Sequence, residues 1–141
     1  MPVFQAETFT EWVSGLAQRL PPTFCGVTQD SRNLVSGCLY VALRGERFDG
    51  HSFVQQALRG GAAAAMIEAS WQAPAESAAW PLIRVRDTRQ ALADAACAWR
   101  KRSQALIIGL TGSSGKTTTK EMAAALFSAG GLVCATQGNL N

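Results

Sequence analysis

The residues most able to do chemistry stand together as Thr111-Gly112-Ser113-Ser114-Gly115-Lys116-Thr117-Thr118-Thr119. Gly112 and Gly115 permit backbone turns that point successive N–H groups inward, which makes an anion cradle continued by the start of a helix. Phosphate is the anion such a loop takes, with Lys116 as a point charge on the outer phosphates and the Thr117 hydroxyl as a Mg²⁺ ligand. The general pattern for such loops asks for glycine at position 110, where this chain has Leu110, with Gly109 and Gly112 on either side. The alternative is a Gly-Ser turn that joins a strand to a helix without binding anything.

The surroundings favour the phosphate loop. Ala105-Leu106-Ile107-Ile108-Gly109-Leu110 reads as a continuous apolar strand of the parallel-sheet kind, and Met122, Ala125, Leu126 and Ala129 fall on one helical face after the loop. Gly130-Gly131 stops that helix, and Leu132 to Ala135 would begin a next strand. These elements are the opening of a phosphate-loop ATPase domain over 105–141, with Gln104 as a hinge. A sheet with helices on both faces needs more elements, so the sequence is expected to be an N-terminal piece of a longer protein.

Residues 1–104 read as a separate α/β domain. Phe9, Trp12, Val13 and Leu16 share a helical face, Thr8 and Glu11 form a capping box, and Pro21-Pro22 closes this predicted first helix. Short apolar strands follow at Cys25–Thr28 and Leu39–Leu43, separated by the polar turn Gln29-Asp30-Ser31-Arg32-Asn33. Phe53, Val54, Ala57 and Leu58 make a short helix that stops at Gly60-Gly61, and Ala63–Ile67 and Leu82–Val85 are buried strands around a Pro- and Ala-containing loop. Asp87 with Gln90 caps a last helix, whose Leu92, Ala95, Ala96 and Trp99 share a face. The tryptophans at 12, 71, 80 and 99 are expected in core or loop packing.

Composition narrows the class. With 141 residues, 48% hydrophobic and 16% charged, the chain is of globular type, and 13 Lys plus Arg against 10 Asp plus Glu give a net charge of only +3. The basic cluster Arg84, Arg86, Arg89, Arg100, Lys101 and Arg102 reads as a strand edge and a solvated helix end rather than a nucleic-acid surface. Cys25, Cys38, Cys97 and Cys134 form no Cys-x-x-Cys pair, and His51 is the one imidazole, so free thiols in a reducing cytoplasm are expected rather than zinc or disulfides. The longest apolar run, Ala62–Ile67, is far short of the ~20 residues of a membrane span, and no leader or membrane partner is expected.

The loop without its first glycine, continued as Thr117-Thr118-Thr119-Lys120-Glu121-Met122, resembles the ATP loop of the Mur ligases. The resemblance covers nearly the whole chain. It includes Asp30-Ser31-Arg32, the run from Gly37 through Arg44-Gly45-Glu46-Arg47-Phe48-Asp49-Gly50-His51, and Gly60-Gly61-Ala62-Ala63-Ala64, which are similar to the family's UDP-sugar-binding domain. It departs at Ser114, where the family usually carries Asn and its longer side chain. The resemblance implies a cytoplasmic, ATP- and Mg²⁺-dependent amide ligase of peptidoglycan precursor synthesis, expected to be monomeric. Gly45 to His51 and the terminal Thr136-Gln137-Gly138-Asn139-Leu140-Asn141 are most similar to the branch that joins D-alanyl-D-alanine to UDP-N-acetylmuramoyl-tripeptide through an acyl phosphate. Lys116 would then be catalytic, and Thr111 to Thr118 would hold the ATP phosphates. Asn139 would lie near substrate and metal.

In the same resemblance Ser31, Arg32, Asp49 and His51 contact the UDP moiety. A hydroxyl, a guanidinium and turn amides at a strand end can fix a uracil and a diphosphate. The plainer alternatives stay open: a Ser turn with a surface arginine at 31–32, and at 49–51 a turn in which Gly50 bends the chain and His51 starts a helix. His51 has no Ser or Asp partner at a hydrolase spacing. Two other functions are also open: a UDP-sugar-binding module without catalysis, and the sister ligase that adds the third amino acid. Ligation by the 141 residues alone is not expected.

Overall fold

In the computed structural model, residues 2–46 and 48–136 are described. The chain divides into two compact units, Met1–Ser103 and Gln104–Asn141.

The first unit is built on a five-stranded sheet in the order β2-β7-β6-β5-β4. Its strands are β2 (Leu16–Gln18), β4 (Val27–Thr28), β5 (Leu39–Val41), β6 (Ala64–Glu68) and β7 (Leu82–Val85). β4 to β7 are parallel, and β2 closes one edge antiparallel to β7 with Ala17 opposite Ile83. β1 (Val3–Gln5) and β3 (Thr23–Cys25) form a separate antiparallel pair, and Gly26, at φ 71°, lets the chain leave that pair and enter β4.

Alternation along the strands sorts the core onto two faces. Leu39, Val41, Ala64, Met66, Ile83 and Val85 point to one side, where α1 (Ala6–Trp12) contributes Phe9 and α3 (Thr88–Lys101) contributes Ala91 and Ala95. Tyr40, Ala65, Ile67 and Leu82 point to the other, against Val54 and Ala57 of α2 (Val54–Arg59). Burial on both faces is why these strands read as unbroken apolar runs rather than as alternating ones. At the α1 and α3 side, Phe4 stacks on Phe24 at 5.6 Å and meets Trp99 at 4.8 Å between ring centroids.

Two expectations for the N-terminal segment are corrected. Helix α1 begins at Ala6 without a side-chain cap, because β1 runs directly into it and the Ala6 N–H is already taken by the Pro22 carbonyl at 3.0 Å. The Thr8–Glu11 capping box is therefore not formed. The helix also ends at Trp12 rather than near Pro21, since Gly15 passes so close to Ile83 that a Cβ there would lie 2.6 Å from its Cγ2. Leu16–Gln18 becomes an edge strand instead, anchored by the Gln18 amide donating to the carbonyls of Ser77 at 2.8 Å and Trp80 at 3.0 Å. Farther on, Asp87 caps α3 by accepting from the N–H groups of Arg89 and Gln90, and Thr88, Ala91 and Ala95 form its buried face, with Ala96 outside it.

In the second unit, α4 (Lys116–Ser128) forms after the glycine loop. Residues 105–110 and 132–135 belong to no described strand, and Leu106 and Leu132 are among the most exposed apolar side chains. The expected parallel strands are thus not seen as such, because an extended segment becomes a strand only through hydrogen-bonded neighbours. For the same reason no side chain of α4 is buried, including Met122, Ala125 and Leu126.

Ile83 is fully buried in the first unit. Ile83→Ala is expected to cost about 2–5 kcal/mol of that unit's stability. Urea unfolding followed by tryptophan fluorescence reads this directly, since Trp12, Trp71, Trp80 and Trp99 all lie there. An unchanged midpoint would contradict the core described.

Candidate functional sites

Four parallel strands end on one edge of the first unit's sheet, and open α/β sheets bind ligands outside the carboxyl ends of their strands. The polar residues singled out in sequence collect on this edge. After β4, the Asp30 N–H donates to the Thr28 hydroxyl at 3.2 Å and the Arg32 N–H to Asp30 Oδ1 at 3.0 Å, which shapes the turn carrying Ser31. The exposed Arg32 guanidinium lies flat on the same carboxylate, Nε to Oδ1 at 2.9 Å and Nη2 to Oδ2 at 3.2 Å. That hydrogen bond holds the Asp30 carboxyl below its ordinary range and raises the Arg32 guanidinium.

After β5 the chain makes a small hairpin. Arg44 and Asp49 pair as an antiparallel bridge, the Gly45 N–H donates to the Phe48 carbonyl at 2.9 Å, and the Gly50 N–H donates to Leu43 at 2.9 Å. Gly50 is required there, because a Cβ would lie 2.8 Å from the Leu43 backbone. Asp49 Oδ1 caps the following 3₁₀ turn by accepting the His51 N–H at 3.0 Å, and it lies 2.6 Å from His51 Nδ1. Arg44 bridges to Asp49 Oδ2 and to Glu68 Oε2, each at 3.3 Å. Burial pushes the Asp49 carboxyl up, but the hydrogen bonds from the His51 backbone N–H and ring, with the charge of Arg44, together bring it below the ordinary value.

Ser31, Arg32 and Asp49 are therefore on one edge and accessible in part, while the His51 side chain is only 1% exposed with both ring nitrogens engaged. Its geometry is that of the structural alternative left open by its sequence context. Arg44 and Glu68 were not singled out as site residues. Arg44 stands in the quoted loop, but Glu68 joins it only through the parallel pairing of β5 and β6, which carries no local signal. The phenol of Tyr40 donates to the Gly50 carbonyl at 3.0 Å, and burial first, then the charges of Asp30 and Asp49, raise its pKa.

The glycine loop occupies the second unit. Gly115 takes the left-handed conformation at φ 76° as the residue before α4, with open space around it, and Gly112 sits at φ 151°. The Thr119 N–H bonds back to the Gly115 carbonyl at 2.9 Å, so the N–H groups of Lys116, Thr117 and Thr118 lie in the first turn, where a helix has no acceptors of its own. The Lys116 ammonium folds back onto the Gly112 carbonyl, and the Lys120 ammonium donates to the Thr136 carbonyl at 2.6 Å. Thr111, Ser113, Ser114, Thr117 and Thr118 are exposed around it. Asn139 lies outside the described residues.

A parallel α/β sheet with a polar carboxyl edge, together with a glycine loop that opens a helix, defines a mixed α/β protein with nucleotide-type features. Comparison with known families makes this specific: residues 23–100 match the Mur ligase family catalytic domain, and residues 110–141 match the Mur ligase middle domain. The chain belongs to the Mur ligase family.

Among curated relatives, the UDP-N-acetylmuramoyl-tripeptide–D-alanyl-D-alanine ligase of Escherichia coli K12 is 43% identical over 132 residues, which is 94% of this chain and 28% of that protein. A crystal structure of MurF from Acinetobacter baumannii superposes with a TM-score of 0.88 at 35% identity, covering all of this chain and 31% of that one. MurF from Thermotoga maritima, solved in complex with ADP, gives a TM-score of 0.68 at 35% identity over 82% of this chain and 26% of its own. The chain thus spans less than a third of the length of these relatives. Among its described residues no helix is long and apolar enough to cross a membrane.

The Asp49 carboxyl has a folded value below its ordinary 3.8, so it stabilises the native state above that pH, and the contribution is lost as the pH falls through the folded value. In thermal melts, Asp49→Asn is expected to flatten the loss of stability of the first unit below about pH 4. An acid limb of the same steepness in the variant would contradict the carboxylate's place in the hairpin.

Proposed function

We propose that the chain is the UDP-substrate-binding domain and the start of the ATP-binding domain of a ligase that joins D-alanyl-D-alanine to UDP-N-acetylmuramoyl-tripeptide in peptidoglycan precursor synthesis. The observation that carries this reading is the pairing, in one chain, of a polar sheet edge of the first unit with a glycine loop of the family's type in the second. The domains are 1–104 and 105–141, and the site of action is the cytoplasm.

In this reading Ser31, Arg32 and Asp49 face the UDP moiety. Arg32 keeps guanidinium N–H groups beyond the two given to Asp30, and these suit a diphosphate oxygen. The backbone N–H groups from Thr111 through Thr118, on the positive end of α4, receive the ATP phosphates. Lys116 exchanges its contact with the Gly112 carbonyl for the β- and γ-phosphates. The fit to Mg²⁺ is the exposed Thr117 hydroxyl in the first turn of the helix; Mg²⁺ when bound neutralises phosphate charge. An ADP complex of a similar protein supports the choice of ATP.

The chemistry proposed for the whole protein is activation of the tripeptide's terminal carboxylate. The carboxylate oxygen attacks the γ-phosphorus and ADP leaves. The amine of D-alanyl-D-alanine then attacks the acyl phosphate, and the tetrahedral intermediate loses phosphate to give the amide. Lys116 lowers the first barrier by meeting charge on the transferring phosphoryl group. A single preorganised donor of this kind is worth about 10²–10³ in rate.

In the whole protein, Lys116→Ala is therefore expected to reduce amide formation at least 100-fold while leaving affinity for the UDP substrate within about twofold. Steady-state ligation assays and calorimetric titration measure the two quantities. Equal losses in both would contradict the separation of roles. Offering D-alanyl-D-alanine or a diamino acid as acceptor distinguishes this ligase from its sister, and absence of any amide product with either would leave a UDP-sugar-binding module.

A further inference from the structure

His51 is a buried imidazole that the proposed chemistry does not use. Its Nε2 lies 3.0 Å from the backbone N–H of Glu68, and a backbone N–H can only donate, so Nε2 must carry a lone pair. The ring proton is then on Nδ1, donated to Asp49 Oδ1 at 2.6 Å. A proton on Nε2 would set two donors against each other in a site from which water is excluded. The ring also lies 5.4 Å from that of Trp71, between centroids, which closes its outer side.

The imidazole thus links two strand ends. Asp49 closes the Arg44–Asp49 hairpin after β5, and Glu68 is the last residue of β6. Arg44 ties the same two groups from outside, through Asp49 Oδ2 and Glu68 Oε2. The hairpin is also bonded from Gly45 N–H to the Phe48 carbonyl, from Gly50 N–H to Leu43 and from the Tyr40 hydroxyl to the Gly50 carbonyl. It exposes Glu46 and Phe48 near its tip, and it leaves β5 beside β4, the strand that leads to the turn of Ser31 and Arg32.

We infer that His51, as its Nδ1–H tautomer bridging the Asp49 carboxylate and the Glu68 backbone N–H, is a positioning residue that fixes the Arg44–Asp49 hairpin as one wall of the nucleotide site. The inference rests on the UDP reading of that edge. His51 touches no ligand; it acts through Asp49 and the hairpin backbone. Asparagine and glutamine at position 51 each lack one of the two ring nitrogens at its proper reach, so each breaks the bridge at one end.

The test uses the 141-residue chain, in which His51 is the single histidine, so ¹⁵N-histidine labelling gives one unambiguous imidazole. The expected spectrum shows a protonated Nδ1 and an unprotonated Nε2 in one tautomer. Exchange of the Gly45 amide is expected to be slowed in the wild type and at least tenfold faster in His51→Asn and His51→Gln, with the amides of β7 and α3 still protected. UDP affinity is expected to fall at least tenfold in both variants, and ADP affinity to stay unchanged. An Nε2–H tautomer, or a folded variant with wild-type Gly45 exchange and UDP affinity, overturns the positioning role alone. Failure of the wild-type chain to bind UDP overturns the nucleotide reading beneath it. If the variants do not fold, Asp49→Ala, at a partly exposed position, removes the acceptor of the Nδ1 proton and is read by the Gly45 exchange, which needs no ligand; wild-type Gly45 exchange in that variant overturns the role.

Discussion

Three parallel strands packed on both faces constrain everything else in the first unit. Leu39, Ala64, Ala65, Met66, Ile67, Leu82 and Ile83 are fully buried, so a polar side chain at any of these positions would lose its water. The polar residues of the proposed site lie where the strands end. Because the strands are parallel, their carboxyl ends coincide, and four successive loops open on the same edge.

Those loops must satisfy the backbone groups that the sheet leaves behind, and three of the four do so with a carboxylate. Asp30 caps the turn after β4, Asp49 caps the 3₁₀ turn after β5, and Asp87 caps α3 after β7. Thr88 joins the last of these to the sheet by donating to the Ala42 carbonyl at 2.8 Å, and Arg89 reaches the Arg44 carbonyl at 3.4 Å. The carboxylates of Asp30, Asp49, Glu68 and Asp87 are thus already partnered, by His51, by Arg32 and Arg44, or by turn amides, and Glu46 stands exposed at the hairpin tip. The edge therefore presents guanidinium and amide donors more than free negative charge, which suits an anionic nucleotide. In the second unit the proposal places an anionic ligand on backbone turned by Gly112 and Gly115 rather than on paired side chains.

What local physics decides could be read in advance. Leu82–Val85 is a buried strand within the residues predicted, Asp87 is the cap it was expected to be, and Gly60-Gly61 ends α2, with Gly61 at φ 103°. What long-range pairing decides could not. The start of α1 is set by the Pro22 carbonyl, the end by the approach of Gly15 to Ile83, and the strand at Leu16–Gln18 by partners some sixty residues away. The site divides along the same line. The Asp30 to Arg32 turn and the glycine loop are contiguous in sequence and were named, whereas the Arg44–Glu68 bridge and the burial of His51 arise only when β6 is laid beside β5.

The central claim is that two anionic ligands are met by separate parts of the chain, and amide chemical-shift mapping tests it most directly. Added UDP is predicted to move the amides of residues 28–33 and 44–50, and added ADP with Mg²⁺ those of 111–119, each set responding to its own ligand. Both ligands moving only the glycine loop, or UDP moving neither loop of the sheet edge, would contradict the account.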